Sequence, residues 1–395
     1  SIPVIFRNKL SPDSPGQTVS LEDRVYFSPA LWLLIFTGFV IHARKDPKRF
    51  GALLAWFLLT SVGLVLYLNM DNPQVRERDY FFIGSYQAVM LWLGMGIFVI
   101  LRTARETLVR LRPRFATAAT TVTALIFSTI IPAAALTDPV EEGVSNWKLH
   151  NRSRDWIPLD YAVNILATCA PDAVLFTNGD NDTYPLWYAR EVMGVRRDVS
   201  IVNMSLLNAP WYIKQLRDRN PKIPISFTND YIDTELAGNT LSSQRSRFWD
   251  PEPREVAMAG ITWKMPPSAV GTLPDGRRAG LLSVAAITLA DIINTTTWSR
   301  PLYFAVTVSP DFMIGLFEHM SMEGMAFRLT KERAPDNEYL IDAAVLERNL
   351  FSEYRFRGLA DSALYIYPDV RRMLRNYSLA FTRLSEQYLK ENRVS

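Results

Sequence analysis

The stretch LFTNGDNDTYPLWY, residues 175–188, holds the densest set of side chains able to do chemistry. Asp180 and Asp182 stand two apart behind an Asn178-Gly179 turn, with Pro185, Trp187 and two tyrosines after them. Three readings of these residues are open. Asn, Asp and Gly are what tight turns use, and an Asp near a helix start satisfies free N–H groups. Alternatively the loop contacts a ligand. The third reading is a divalent cation site, but such a cation wants several oxygen ligands. Two carboxylates do not establish one, so no metal ligand is assigned. A metal-dependent phosphoester hydrolase built on Asp180 and Asp182 would need histidines nearby, and this stretch has none.

A second loop resembles the first. The run SIVNMSLL leads into Asn208-Ala209-Pro210-Trp211-Tyr212. Together the two loops are expected to line one crevice. Asn178, Asp180, Asp182, Asn203 and Asn208 would be its polar groups, with Trp187 and Trp211 as flat platforms. That mixture suits a sugar, whose hydroxyls take polar partners and whose apolar face stacks on rings. A third candidate is NMDNPQVRERDYFF, residues 69–82, where Arg76 and Arg78 flank Glu77 ahead of three aromatics. Guanidinium groups pair with phosphate oxygens in a two-pronged fashion, so these arginines would suit a lipid-linked phosphate. An internal network with Glu77 and Asp79 is the other reading, and the two can coexist.

The elements that must position the first two loops read as α/β. PLDYAVNILATCAP is a helix, AVLFT a short buried strand, and DVSIVNMSLL a second strand. Between the strands a helix is expected from Pro185, with Thr183 or Tyr184 near its cap and Gly194 at its end. The order strand, helix, strand implies a parallel βαβ unit. In open α/β sheets ligands bind beyond the carboxyl ends of the strands, where NGDNDT lies. Further on, LLSVAAITLADIINTTTW reads as a helix and PLYFAVTV as another buried strand. The methionines of HMSMEGMAFRLT read as packing. Residues 221–280 read as loops with short strands. Val370, Met373, Tyr377, Phe381, Leu384 and Tyr388 recur every three or four residues, which is one amphipathic helix.

The first third differs in kind. Four apolar stretches, residues 25–43, 51–68, 82–101 and 115–136, carry no Asp, Glu, Lys or Arg inside. Each is near the roughly 20 residues a bilayer-spanning helix requires. The basic stretches RKDPKRF and RTARETLVRLRPRF, after the first and third, point to the cytoplasm. Residues 1–24, the loop at 69–80 and everything after Leu136 then face outward. The expected architecture is an outward segment (1–24), four transmembrane helices (25–136), an extracytoplasmic α/β domain (137–365) and an amphipathic helix (366–395). Because residues 1–24 start outside, the sequence is expected to be the C-terminal part of a longer chain with further spans upstream. No ionisable group lies deep in a span, which disfavours a proton- or ion-coupled transporter.

Composition narrows the classes further. The 395 residues carry a net charge of +3 and show no nucleic-acid-binding motif. Cys169 is the only cysteine, and His42, His150 and His319 lie far apart. That excludes a disulfide frame within the chain and a cysteine zinc site.

The segments VRERDYFFIGSYQAVMLWLGMG and ILATCAPDAVLFTNGDNDTYPLWYAREVMGVRRDVSIVNMSLLNAPWYIKQL carry a resemblance. They resemble a family of large bacterial multi-pass membrane proteins related to the eukaryotic transmembrane protein O-mannosyltransferases. The similarity covers the last spans, the outward domain and MEGMAFRL beyond it. It implies a glycosyltransferase of the GT-C type, working on the outer face of the membrane with a polyprenyl-phosphate sugar donor and a protein or glycan acceptor. The catalytic acid of that family sits in the first outward loop, which no position here matches, so no catalytic residue is transferred. The resemblance also implies helical repeats beyond the terminal helix. A non-catalytic, membrane-anchored domain that binds glycans or proteins of the cell envelope is the alternative.

Overall fold

The structure, a computed structural model, describes residues 29–68, 79–111, 113–137, 139–141, 144–236, 248–273, 275–335 and 338–391. The chain divides into two compact units, residues 1–150 and 151–395.

Unit 1 is mainly helical. α1 (Pro29–Lys45) ends in His42, Arg44 and Lys45, and α2 (Pro47–Leu58) starts one residue later. Asp46 makes the joint. Its carboxylate accepts from the Arg49 N–H at 3.2 Å and pairs with the Arg49 guanidinium at 3.0 Å. Pro47 takes the first helical position, where no N–H is needed. α2 runs through a wide π turn, Leu59–Gly63, into α3 (Leu64–Leu68). A tight turn, Asp79–Phe82, leads into α4 (Ile83–Leu111), and α5 (Pro113–Thr137) follows. A strand pair, β1 (Pro139–Glu141) with β2 (Val144–Ser145), and the short α6 (Asn146–His150) close the unit.

Two glycines let α1 and α4 meet backbone to backbone. A Cβ on Gly38 would overlap the Trp92 carbonyl, and one on Gly96 the Leu34 carbonyl. Small residues do this where helices gain little from hydrophobic burial against each other. Leu34 thus lies against Gly96, while the Trp92 indole donates to His42 Nδ1 at 3.3 Å, so the two helices run antiparallel. α2 also runs against α4. Trp56 donates to the Gly84 carbonyl at 3.1 Å, and Phe50 and Phe57 pack around Trp92.

Unit 1 departs from the sequence expectation in two ways. Four spans are expected, but two helices of the described residues are long and apolar enough to cross a bilayer, Pro47–Leu68 and Tyr80–Arg110. The described residues of α1 number 17 and end in a basic turn, and the apolar stretch of α5 among the described residues is the shorter Thr117–Ile130. The basic stretches are also not loops. RKDPKRF is the α1–α2 joint, whose neighbours His42 and Phe50 both reach Trp92. RTARETLVRLRPRF continues α4 to Leu111 because no breaker precedes Pro113, and the Arg102–Glu106 pair at 2.9 Å braces the extension. Arg102 lies ten residues beyond Trp92, or roughly 15 Å along the helix. The two basic stretches therefore stand at different levels of α4.

Unit 2 is α/β. α7 (Ile157–Thr168) leads to β3 (Val174–Thr177), α8 (Asp180–Trp187), β4 (Ser200–Asn203) and α9 (Pro210–Asp218). A strand-rich insert follows: β5 (Phe248–Trp249), β6 (Arg254–Met258), β7 (Ile261–Met265), β8 (Ala269–Thr272) and β9 (Arg278–Leu281). The chain then returns through α10 (Val284–Thr296), β10 (Leu302–Ala305), β11 (Met320–Met322), β12 (Ala326–Leu329), β13 (Leu340–Ile341), α11 (Ala343–Arg348) and α12 (Pro368–Lys390).

Six strands form the main sheet, in the order β13-β11-β12-β10-β3-β4. β3 pairs in parallel with β4 on one side and with β10 on the other. The βαβ unit read from the sequence is therefore present, and β10 extends the parallel sheet on its far side. β3, β4 and β10 are buried along their whole length, as parallel strands with both faces covered must be. Phe176 of β3 stacks on Phe304 of β10 at 4.8 Å. Ile165 and Leu166 of α7, Leu289 and Ile292 of α10, and Met320, Met322 and Met325 complete the core with little or no exposure. α12 belongs to the same core. It buries Tyr377, Ala380 and Leu384, and Asn164 of α7 donates to the Tyr377 hydroxyl at 2.7 Å.

Candidate functional site

The strand order places a topological switch at β3. From β3 the chain moves outward to β4 on one side, then crosses back through α10 to β10 on the other. The edge beyond the carboxyl ends of these strands is where ligands of such sheets bind. The NGDNDT segment leaves β3 at this edge.

It is not a loop followed by a helix at Pro185. Gly179 is the cap, and α8 begins at Asp180, so both carboxylates fall in its first turn. The reason is electrostatic: four N–H groups at a helix start lack partners, and negative charge is favoured beside them. Pro185 sits inside the helix rather than at its start, and α8 passes into a π turn, Tyr188–Val192, three residues later.

Burial separates the two aspartates. Asp180 is exposed, whereas Asp182 is 2% exposed. Asp182 Oδ2 accepts the hydroxyl proton of Thr307, two residues past the end of β10. Its Oδ1 faces the Thr183 hydroxyl at 3.3 Å. Thr183 in turn lies 2.7 Å from the Thr177 hydroxyl and accepts from Asn203 Nδ2 at 2.9 Å. Asn203 Oδ1 accepts from the Leu206 N–H at 2.9 Å, and its own N–H donates to the Tyr212 hydroxyl oxygen at 2.9 Å. Burial raises the Tyr212 pKa, which keeps the phenol protonated. One chain of polar contacts thus ties together the carboxyl ends of β10, β3 and β4.

A second set reaches the surface. The Ser205 hydroxyl donates to the Asn178 carbonyl at 3.0 Å and lies 3.2 Å from its side-chain oxygen. Asn208 Nδ2 donates to the Ser205 carbonyl at 3.2 Å, and its Oδ1 accepts from the Ala285 N–H at 3.1 Å, helping to cap α10 beside Ser283. Asn178, Asp182, Asn203 and Asn208 are thereby brought to one edge, with Asp180 exposed on the first turn of α8.

The two tryptophans part company. Trp211 is 58% exposed in the first turn of α9, against Tyr212. Trp187 sits at the far end of α8, seven residues from Asp180 and so about 10 Å along the axis. It packs on Tyr184 and the core there. Arg76 and Arg78 lie outside the described residues.

Thr177, Thr183, Ser205 and Thr307 were missed in the sequence. Thr307 had a signal, because PLYFAVTV reads as a buried strand. Only its parallel pairing with β3 shows that its end belongs to this edge. Among the described residues no three His, Cys, Asp or Glu side chains converge as a metal site would require.

Two further buried polar pairs brace unit 2. Asp160 of α7, 3% exposed, accepts from the Arg357 N–H at 2.9 Å and from its guanidinium at 2.6 Å. The Tyr303 hydroxyl donates to the buried Glu323 at 2.6 Å. Burial, with that hydrogen bond, raises the Tyr303 pKa. These groups hold α7, β10 and the segment before α12 together.

No curated protein and no solved structure matches the chain. Residues 158–247 and 275–345, which contain the switch-point strands and every polar group just described at their carboxyl ends, match the family described as TMEM260-associated domain 2.

Proposed function

We propose that the chain is the C-terminal part of a membrane glycosyltransferase of the GT-C type, with a polyprenyl-phosphate sugar as donor and a protein or glycan as acceptor. The observation that carries this reading is the match to TMEM260-associated domain 2, which agrees with the resemblance to membrane proteins related to protein O-mannosyltransferases. Two helices with the length and apolarity of membrane spans support it. Four spans in all, an inner-membrane location and a unit 2 on the outer face belong to the same proposal. The arginines of residues 102–114 favour the cytoplasm for the far end of α4, and α5 would then carry the chain outward. Arg76 and Arg78 are assigned to the donor phosphate. Asn178, Asp180, Asn208 and Trp211 are assigned to the rim of the crevice that receives a sugar-bearing partner. No residue of this chain is assigned as the catalytic acid.

The test is sugar transfer from a polyprenyl-phosphate sugar in membranes holding the full-length protein, across a donor titration. Loss of either arginine should weaken donor use about ten- to a hundredfold, since a charged hydrogen bond contributes about 1.5–3 kcal/mol, and Arg76→Lys and Arg78→Lys should each rescue only part of that because lysine cannot reproduce the fork. Unchanged donor dependence in both variants removes the phosphate role. No transfer by a folded wild-type protein removes the enzyme.

One observation favours a second reading. Asp182, the buried carboxylate at the switch point, is engaged by Thr307. That leaves this edge better suited to holding a glycan or protein than to proton transfer. A non-catalytic envelope domain would bind acceptor without turning over donor, and the same assay separates the two.

A further inference from the structure

Three segments of unit 2 meet around the start of α7: residues 151–157, 354–367 and the start of α12. Their contacts bind them together. The Arg357 guanidinium lies over the Trp156 ring at 4.5 Å, and the Arg152 guanidinium over the Tyr367 ring at 4.2 Å. Arg154 pairs with Asp361 at 3.7 Å. Phe356 packs on Tyr377 of α12 at 5.2 Å.

The surface is aromatic and basic at once. Trp156 is 46% and Phe356 37% exposed. Residues 151–157 and 354–376 hold seven arginines against three aspartates, with no lysine, histidine or glutamate. Among the seven, Arg357 pairs with the buried Asp160, Arg152 with Asp155 and Arg154 with Asp361, which leaves the segments net basic. The side chains of Arg152, Arg154, Arg355, Arg371 and Arg375 are exposed.

We propose that this surface docks unit 2 onto an anionic phospholipid bilayer. Large aromatics whose rings are half buried and half wet are the side chains that settle at a membrane interface. Arginines among them attract acidic headgroups, each worth roughly a fivefold gain in partition near the surface. Stacking on Trp156 and Tyr367 also shields the apolar faces of two guanidinium groups. The surface includes the first residues of unit 2, the part nearest in sequence to the apolar α4 and α5. An acidic protein is the other occupant that arginines and aromatics could meet, and the lipid quenchers below tell it from a bilayer. The inference rests on reading unit 1 as membrane-inserted.

The experiment uses the full chain in vesicles. A single cysteine replaces the exposed Ser153 and carries an environment-sensitive fluorophore, with Asn181→Cys on α8 as the control position. Cys169 is buried and stays unlabelled in the folded protein. In vesicles with about 30 mol% phosphatidylglycerol, nitroxide-bearing lipids should quench the label at 153 and spare the one at 181, and about 0.5 M NaCl should relieve the quenching. Arg355→Gln with Arg371→Gln should lower the docked-to-free ratio about 30-fold. Arg355 holds Asn164 only through its backbone, so this variant keeps the fold.

Equal quenching in neutral vesicles, or equal quenching at 153 and 181, overturns the proposal. So does a label at 153 that is shielded from aqueous iodide yet untouched by lipid quenchers, because another protein segment would then cover the surface. Carbonate washing tells the two levels apart. Release of the protein by carbonate means the membrane reading has failed, whereas retention with an unquenched label at 153 means that docking alone has failed.

Discussion

Asp182→Ala should destabilise unit 2 far more than Asp180→Ala, although the two residues are near neighbours in one helical turn. Asp182 is buried and holds the Thr307 hydroxyl, so alanine removes a hydrogen bond to a charged group and leaves that hydroxyl without its acceptor. Such bonds contribute about 1.5–3 kcal/mol. The lost charge at the start of α8 adds about 0.3–1 kcal/mol. The expected loss is therefore about 2–4 kcal/mol, against a few tenths for the exposed Asp180. At about 2–4 °C per kcal/mol for a domain of this size, Tm should fall by roughly 4–16 °C. Near-UV circular dichroism of the detergent-solubilised protein would follow unit 2, whose buried tyrosines and Trp263 report on packing. Asp182→Asn, which keeps an acceptor oxygen and the volume, should lose much less. The Thr307→Val background supplies the control, since Asp182→Ala should cost distinctly less there. Equal Tm shifts for Asp180→Ala and Asp182→Ala, or no coupling to Thr307, would refute the assignment of Asp182 as the tie between β3 and β10.

Gly324 adopts a φ of +143°, and a Cβ there would overlap the Tyr354 hydroxyl. Gly324→Ala should cost about 3 kcal/mol or more, and adding Tyr354→Phe should recover part of it in thermal melts. The hydrogen bond from Arg196, helped by the Asp172 N–H, holds the Asp198 carboxyl down at about 2. A depressed carboxyl stabilises the fold above its ordinary value near 3.8 and loses that contribution as pH falls through about 2. Asp198 is a third exposed, so the contribution is discounted to about 1 kcal/mol. Acid titration between pH about 4 and 2 should show that loss in the wild type and not in Asp198→Asn. Gly96→Leu should break the α1–α4 contact, which crosslinking between cysteines placed at Leu34 and Met95 would report as lost.

Local pattern was enough for the individual elements of unit 2. AVLFT and PLYFAV are short and mostly apolar because strands buried on both faces have no solvated side to show, and both are strands in the structure. VAAITLADIINTT has the spacing of one helical face and a serine at its cap, and α10 follows it. The apolar character of the first third was equally plain, since a run without charge needs no partner to be recognised.

Partnership beyond the parallel β3–β4 pair was not readable. Nothing local says that β10 lies beside β3, so the sequence could not show that Thr307 closes over Asp182 or that Thr177, Thr183 and Asn203 share one network. The start of α8 was misplaced because proline is the stronger local signal. The unpaired N–H groups of a helix start, available to two aspartates, decided otherwise. Trp187 left the crevice for a geometric reason: a helix that starts at Asp180 carries its end away from the strand edge. In unit 1 the joint at Asp46-Pro47 looks like a loop by charge, yet the packing of His42 and Phe50 around Trp92 sets it midway along α4. Charge and apolarity are properties of single residues and short runs, so the sequence by itself determined most of the elements and the apolar character of the first third. Which ends meet depends on contacts between separate elements, up to the 125 positions between Asp182 and Thr307, and only the tertiary structure decided those.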